Sequence, residues 1–256
     1  MKKRGLSLFL ALALCLTLLP AAAFANGESE TSTPHTHYLC GNGVACSHVG
    51  SHNEDSKTAF ATAITQTENG NVYVGDGTQD QPYQCVLSEG TYYLATDLVL
   101  EAPSNTQFGS IQIMEDVTLC LNGHTITVKA NREAFKITKY GSTSSSTLTL
   151  TDCQGGGKIT HDPSFLGNSV NLSEDCNFIM YGGSITGNSV ASSGGGVCVY
   201  GAMTVSGSAR ITGNVNDGSK GDNGIYTGGT ASNVCLVGST TITINGPLTY
   251  VLVTPY

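Results

Sequence analysis

Three Ile-Thr pairs recur at an even step. Ile159-Thr160, Ile185-Thr186 and Ile211-Thr212 lie 26 residues apart, and the last two run on into Gly-Asn. A fixed period of this size means that one supersecondary unit stacks on copies of itself. Each unit places a short apolar-x-apolar run before a Gly-containing turn and an Ile. The runs are Leu119/Leu121, Leu148/Leu150, Phe178/Met180, Met203/Val205 and Val234/Leu236. They lead to Ile126, Ile159, Ile185, Ile211 and Ile242. Alternation at period two is the mark of a strand with one buried face.

A third apolar pair completes each unit. Ile111/Ile113, Phe135/Ile137, Val170/Leu172 and Val197/Val199 each precede the next run, and Ile225 opens a weaker copy. Spacing widens where loops enter, at 141–146 and 215–221. A corner can bulge into water without breaking the stack. The expected fold is all-β: a right-handed parallel β-helix, or solenoid, of about five coils with three short strands per coil. Equivalent strands then pair about 4.8 Å apart along the axis. Asn188 and Asn214 occupy equivalent corners, where stacked amides can form a ladder. Both ends of such a rod expose unpaired edges and need caps.

Residues 1–25 read as a secretory signal peptide. Lys2, Lys3 and Arg4 precede an apolar stretch from Leu6 to Leu19, and Ala23-Phe24-Ala25 has the form of a cleavage site. The expected location is therefore secreted or extracellular, including the cell surface, with no membrane span after cleavage. Residues 26–60 form a polar lead-in, and 61–256 the β-helix. Within the latter, 61–100 supply the N-terminal cap and first strands, and 240–256 a C-terminal end or truncated cap. Removing the three signal cations leaves 8 Lys+Arg against 19 Asp+Glu, a balance of −11. Such a chain is a poor partner for nucleic acid or an anionic membrane. Only 12% of residues are charged, about half the usual share, so Ser, Thr, Asn and Gly must build much of the surface.

Four of the six His lie in one stretch with two Cys: His35, His37, Cys40, Cys46, His48 and His52. Nitrogen and thiolate donors this close fit a structural tetrahedral Zn²⁺ in a segment with little apolar core. A Cys40–Cys46 disulfide is the alternative in an exported chain. Cys120 and Cys198 sit in strand-like runs and read as thiols packed like small apolar groups. His124 and His161, each alone, read as surface or corner residues.

The segments GGSITGN (Gly182–Asn188), GGGVCVY (Gly194–Tyr200), MTVSGSARITGN (Met203–Asn214) and LCLNGHTIT (Leu119–Thr127) resemble secreted, pectate-lyase-like right-handed β-helix proteins of gut-dwelling Gram-positive bacteria. The lead-in HTHYLCG (His35–Gly41) and TYYLATDLVL (Thr91–Leu100) resemble the same group. The resemblance implies the fold and an exported setting, and leaves activity open.

Two functions follow. The first is a secreted or cell-surface module with a structural, adhesin-like or glycan-binding role, acting as a monomer or through end-to-end contacts on an extracellular glycan or host surface. Tyr93, Tyr140, Tyr181, Tyr200 and Tyr226 are its candidate sugar platforms. The alternative is a carbohydrate-active enzyme of the lyase or glycosidase type, which needs carboxylates converging in a groove. Asp152, Asp162, Glu174, Asp175, Asp217 and Asp222 fall mainly at corners, and no catalytic set is assigned. Lys158 and Arg210 precede equivalent Ile residues and so belong to one flank.

Overall fold

The computed structural model describes residues 62–64, 85–87, 89–101, 110–139, 145–192 and 194–248. All regular structure among them is β. Three parallel sheets run along one axis. The first holds Thr62–Ile64, Gly90–Leu94, Val117–Cys120, Thr147–Thr151, Asn177–Met180, Ala202–Gly207 and Ile242–Leu248. The second holds Leu98–Glu101, Thr125–Lys129, Lys158–His161, Ser184–Ile185 and Arg210–Ile211. The third holds Cys85–Leu87, Ile111–Ile113, Phe135–Ile137, Val170–Leu172, Val197–Val199 and Val234–Leu236.

Chain order cycles third, first, second sheet. The five strands of the second sheet therefore close five triplets, with four full turns from the first triplet to the last. This is the expected parallel β-solenoid. Inward residues form continuous apolar columns. Ile126, Ile159, Ile185 and Ile211 are in register and fully buried. So are Phe135, Val170 and Val197, and Leu148 and Phe178. At about 25 cal/mol per Å² of apolar surface removed from water, these columns are the main stabilising term.

Two expected alignments are corrected. Leu148 pairs with Val117, and Leu150 with Leu119. The run therefore starts two residues earlier than the Leu119/Leu121 reading. A two-residue slip keeps every side chain on its face, so an in/out pattern cannot detect it. The outward column of the first sheet becomes Thr91, Thr118, Thr149, Ile179, Thr204 and Thr243.

The second correction falls at the C-terminal end. Val234–Leu236 joins the third sheet against Val197–Val199, and Ile242 pairs with Met203 in the first. Ile242 is thus not the next member of the Ile126-to-Ile211 column, and the third-sheet copy is Val234–Leu236 rather than a strand at Ile225. The intervening stretch is an inserted arm. Val215–Asn216 pairs antiparallel with Thr230–Ala231, and Ser219–Lys220 with Tyr226–Thr227.

Candidate functional site

The corner joining the third sheet to the first carries a cleft of about 410 Å³ across three successive turns. Its residues come from equivalent positions. Asp175 and Asn177 belong to one turn, Tyr200 and Gly201 to the next, and Thr240 and Thr243 to the last. The corner lengths explain the hollow. Between paired Val199 and Met203 lie Tyr200, Gly201 and Ala202. Between their partners Leu236 and Ile242 lie five residues, 237–241. The corner on the other side, 173–177 between Leu172 and Phe178, also has five residues, so the short Tyr200–Ala202 corner lies between two longer ones.

Gly201 is fixed by close approach. A Cβ there would stand 2.3 Å from the Cys176 carbonyl oxygen and 2.6 Å from that of Ser173. Thr240 Oγ1 donates to the Val237 carbonyl oxygen at 3.1 Å and anchors the longer corner. Lys139 forms an ion pair with Asp175 across the turns, and this contact holds the lysine's pKa above its ordinary value.

Tyr200 is 43% exposed, and it and Ile244 are the large apolar side chains most open to solvent among the described residues. Cys198 sits beside it. Burial and then the neighbouring Cys235 push the Cys198 thiol up. Its charge, once formed, would oppose a phenolate, so the Tyr200 phenol is also pushed up. The phenol is therefore neutral at neutral pH and keeps its donor. Of the other candidate platforms, Tyr181 is 9% exposed, Tyr93 and Tyr226 are half-buried, and the Lys220 ammonium stands 5.2 Å from the Tyr226 ring centre. Tyr140 lies outside the described residues.

On the second sheet, Lys158, Ser184 and Arg210 occupy one column. The two cations do share a flank, two strands apart, with Ser184 between them. Beside them Thr127 and Thr160 are in register, and Thr186 and Thr212 follow in the next turns.

The Asn corner is more extensive than expected. Asn188 Nδ2 donates to Asn214 Oδ1 at 2.7 Å, and Asn214 Nδ2 donates to Asn233 Oδ1 at 3.1 Å. The same oxygens accept backbone N–H groups from Asn188 and Asn214. His161 caps this ladder and is buried, so its surface reading is corrected. Its Nδ1 lies 2.7 Å from Asn188 Oδ1 and its Nε2 2.7 Å from the Arg132 carbonyl oxygen. As placed, both neighbours are acceptors, so a neutral ring satisfies one and an imidazolium both. Burial nevertheless wins and pulls the His161 pKa below 6.5, against the raising effect of those contacts. Spacing revealed Asn188 and Asn214, but Asn233 follows an insertion and has no equal step to betray it. His124 stays at its corner, with Nδ1 3.3 Å from Asp97 Oδ1.

The acidic residues do not share one place. Asp152 is buried, and its two oxygens accept the N–H groups of Gly123 and Gly157 at 2.7 Å. Among the described residues Asp175 is the one carboxylate lining the cleft, while Asp217 and Asp222 are exposed on the inserted arm. Among the described residues no three His, Cys, Asp or Glu side chains group to hold a metal ion. His35, His37, Cys40, Cys46, His48 and His52 lie outside the described residues, as does the signal-like segment.

No protein-family model matches the chain, and no curated protein or solved structure does either. Geometry alone therefore defines its class: a parallel β-solenoid with a polar corner cleft near its C-terminal turns.

Proposed function

We propose that this protein is an exported, cell-surface or secreted β-helix module that binds a carbohydrate without transforming it, with the corner cleft as its site. The signal-like N-terminus supports export, and the motif resemblance to pectate-lyase-like surface proteins of Gram-positive bacteria supports the setting. The observation that carries the reading is Tyr200: an exposed aromatic face beside a cleft lined by amide, hydroxyl and carboxylate groups. Sugars present apolar C–H faces and a rim of hydroxyls. An aromatic platform with a few polar groups matches both. Asp175, Asn177, Thr240 and Thr243 supply donors and acceptors around the platform. Glycosidic hydrolysis by the usual route needs two carboxyl groups about 5–10 Å apart, and among the described residues Asp175 alone lines the cleft, which favours binding over cleavage.

A glycan array, followed by calorimetry on the strongest ligand, tests this. Tyr200→Ala should weaken binding by about tenfold, the loss of roughly 1.4 kcal/mol expected when a stacking face is removed. Unchanged affinity in a folded Tyr200→Ala variant would displace the site from the cleft. Release of sugar fragments from acidic polysaccharides would instead establish the lyase or glycosidase alternative.

A further inference from the structure

We infer that Cys120 and Cys153 form a dithiol site that a small-molecule disulfide oxidises to a covalent link between two consecutive turns. The two sulfurs belong to neighbouring coils and stand 3.3 Å apart, with the Cys120 thiol donating to Cys153, whose own thiol faces the Asn122 amide oxygen at 3.7 Å. The Cys153 backbone N–H also donates to the Cys120 sulfur, at 3.4 Å. Strand pairing sets this approach. Cys120 is in register with Thr151, two residues before Cys153. A bond of about 2.05 Å requires the sulfurs to close by roughly 1.2 Å. The chain after Cys153 can yield that distance. Gly155 and Gly156 adopt φ of 76° and 85°, and a Cβ on either would meet nothing within 4 Å.

The two thiols are unequal. Cys120 is fully buried, while Cys153 is half-buried and open to solvent. Contact with Cys153 holds the Cys120 pKa down against its burial, and the same contact pushes Cys153 up. Cys120 is therefore the thiol that ionises first, and once ionised it accepts a hydrogen bond from the Cys153 thiol. Oxidation starts at the reachable sulfur. The Cys153 sulfur attacks one sulfur of the small disulfide while its proton passes to Cys120. The first small thiolate leaves and takes up that proton. Cys120 then attacks the Cys153 sulfur and expels the second small thiolate. Two electrons pass from the protein to the small disulfide, which departs as one thiol and one thiolate.

The link joins positions 33 apart in sequence, a ring long enough to restrict the unfolded chain substantially. The test uses the full chain, reduced, freed of reductant and incubated with oxidised glutathione at neutral pH. Alkylation and peptide mapping by mass spectrometry should find Cys120 joined to Cys153. The thermal midpoint should rise by roughly 5–15 °C and fall back on reduction. Cys153→Ser and Cys153→Ala, each checked by circular dichroism, should lose both the linked peptide and the shift. Alkylated Cys120 and Cys153 after oxidation, or a link from either to another cysteine, would overturn the assignment.

Discussion

Removing the Asn214 side chain should cost far more than its small size suggests. Asn214 is fully buried at the centre of the corner ladder. Its amide nitrogen donates to the carbonyl oxygens of Ile185 and Thr212 at 3.0 and 3.2 Å, and to Asn233 Oδ1 at 3.1 Å. Its oxygen accepts from the Asn188 backbone N–H at 3.2 Å and from Asn188 Nδ2 at 2.7 Å. In Asn214→Ala some of these groups keep a second partner. The Ile185 oxygen still accepts from the Thr212 N–H, Asn233 Oδ1 from the Asn214 N–H, and Asn188 Nδ2 still reaches the Thr186 oxygen. The Asn188 N–H is the group that loses its acceptor. One orphaned buried donor costs about 1–3 kcal/mol, and the lost bonds and small void bring the sum to about 2–4 kcal/mol. At a slope of about 2–3 kcal/mol per M, urea unfolding should shift its midpoint down by about 1 M. Asn214→Asp tests the direction of the bonds. It keeps both acceptor contacts but turns the three donated bonds into contacts between oxygens, so it should be at least as damaging as alanine. Arg210→Ala, exposed four residues earlier, is the control and should stay within about 0.5 kcal/mol. An Asn214→Ala loss below about 1 kcal/mol would refute the view that the ladder holds the corner.

Acid should destabilise the fold through His161. Its folded pKa lies below 6.5, so the unfolded chain binds the proton first, and stability present above about 6.5 is lost as pH falls below it. Urea midpoints between pH 7.5 and 5 should show that fall, and His161→Gln should flatten the slope. Gly201→Ala drives a Cβ into two backbone oxygens, which cannot swing aside. It should cost about 1–3 kcal/mol by thermal melting and reduce carbohydrate binding along with Tyr200→Ala.

The sequence disclosed the fold well because its signal is redundant. Every turn repeats the inward pair, and Ile126, Ile159, Ile185 and Ile211 fall in one column as their spacing implies. Register was less legible for a physical reason. Moving Leu148 from Val117 to Leu119 changes no residue's face, so only hydrogen bonding distinguishes the two. The last turn is ambiguous in sequence because Val234-Cys235-Leu236 has the same alternation whichever sheet it joins. The inserted arm of residues 215–231 also hides how far the chain has travelled. The burial of His161 is not legible in sequence because burial of a lone His depends on what stacks over it. Its partners Asn188 and Arg132 lie 27 and 29 residues away.

The same reasoning explains where the cleft sits. A solenoid with equal corners presents an even surface, because each turn copies the one below. A hollow needs corners of unequal length, and the Tyr200–Ala202 corner supplies the inequality, being two residues shorter than 173–177 on one side and 237–241 on the other. The stacked columns fix the two corners relative to each other, so Tyr200, Thr240 and Thr243 line the cleft from fixed positions. Binding there should require little reordering, and affinity should depend on contacts more than on conformational cost. Shortening 237–241 by two residues, to match the Tyr200–Ala202 corner, should remove one wall of the hollow while leaving the stacked core intact. A shortened variant that keeps both its thermal midpoint and its carbohydrate affinity would show that the cleft is incidental to recognition.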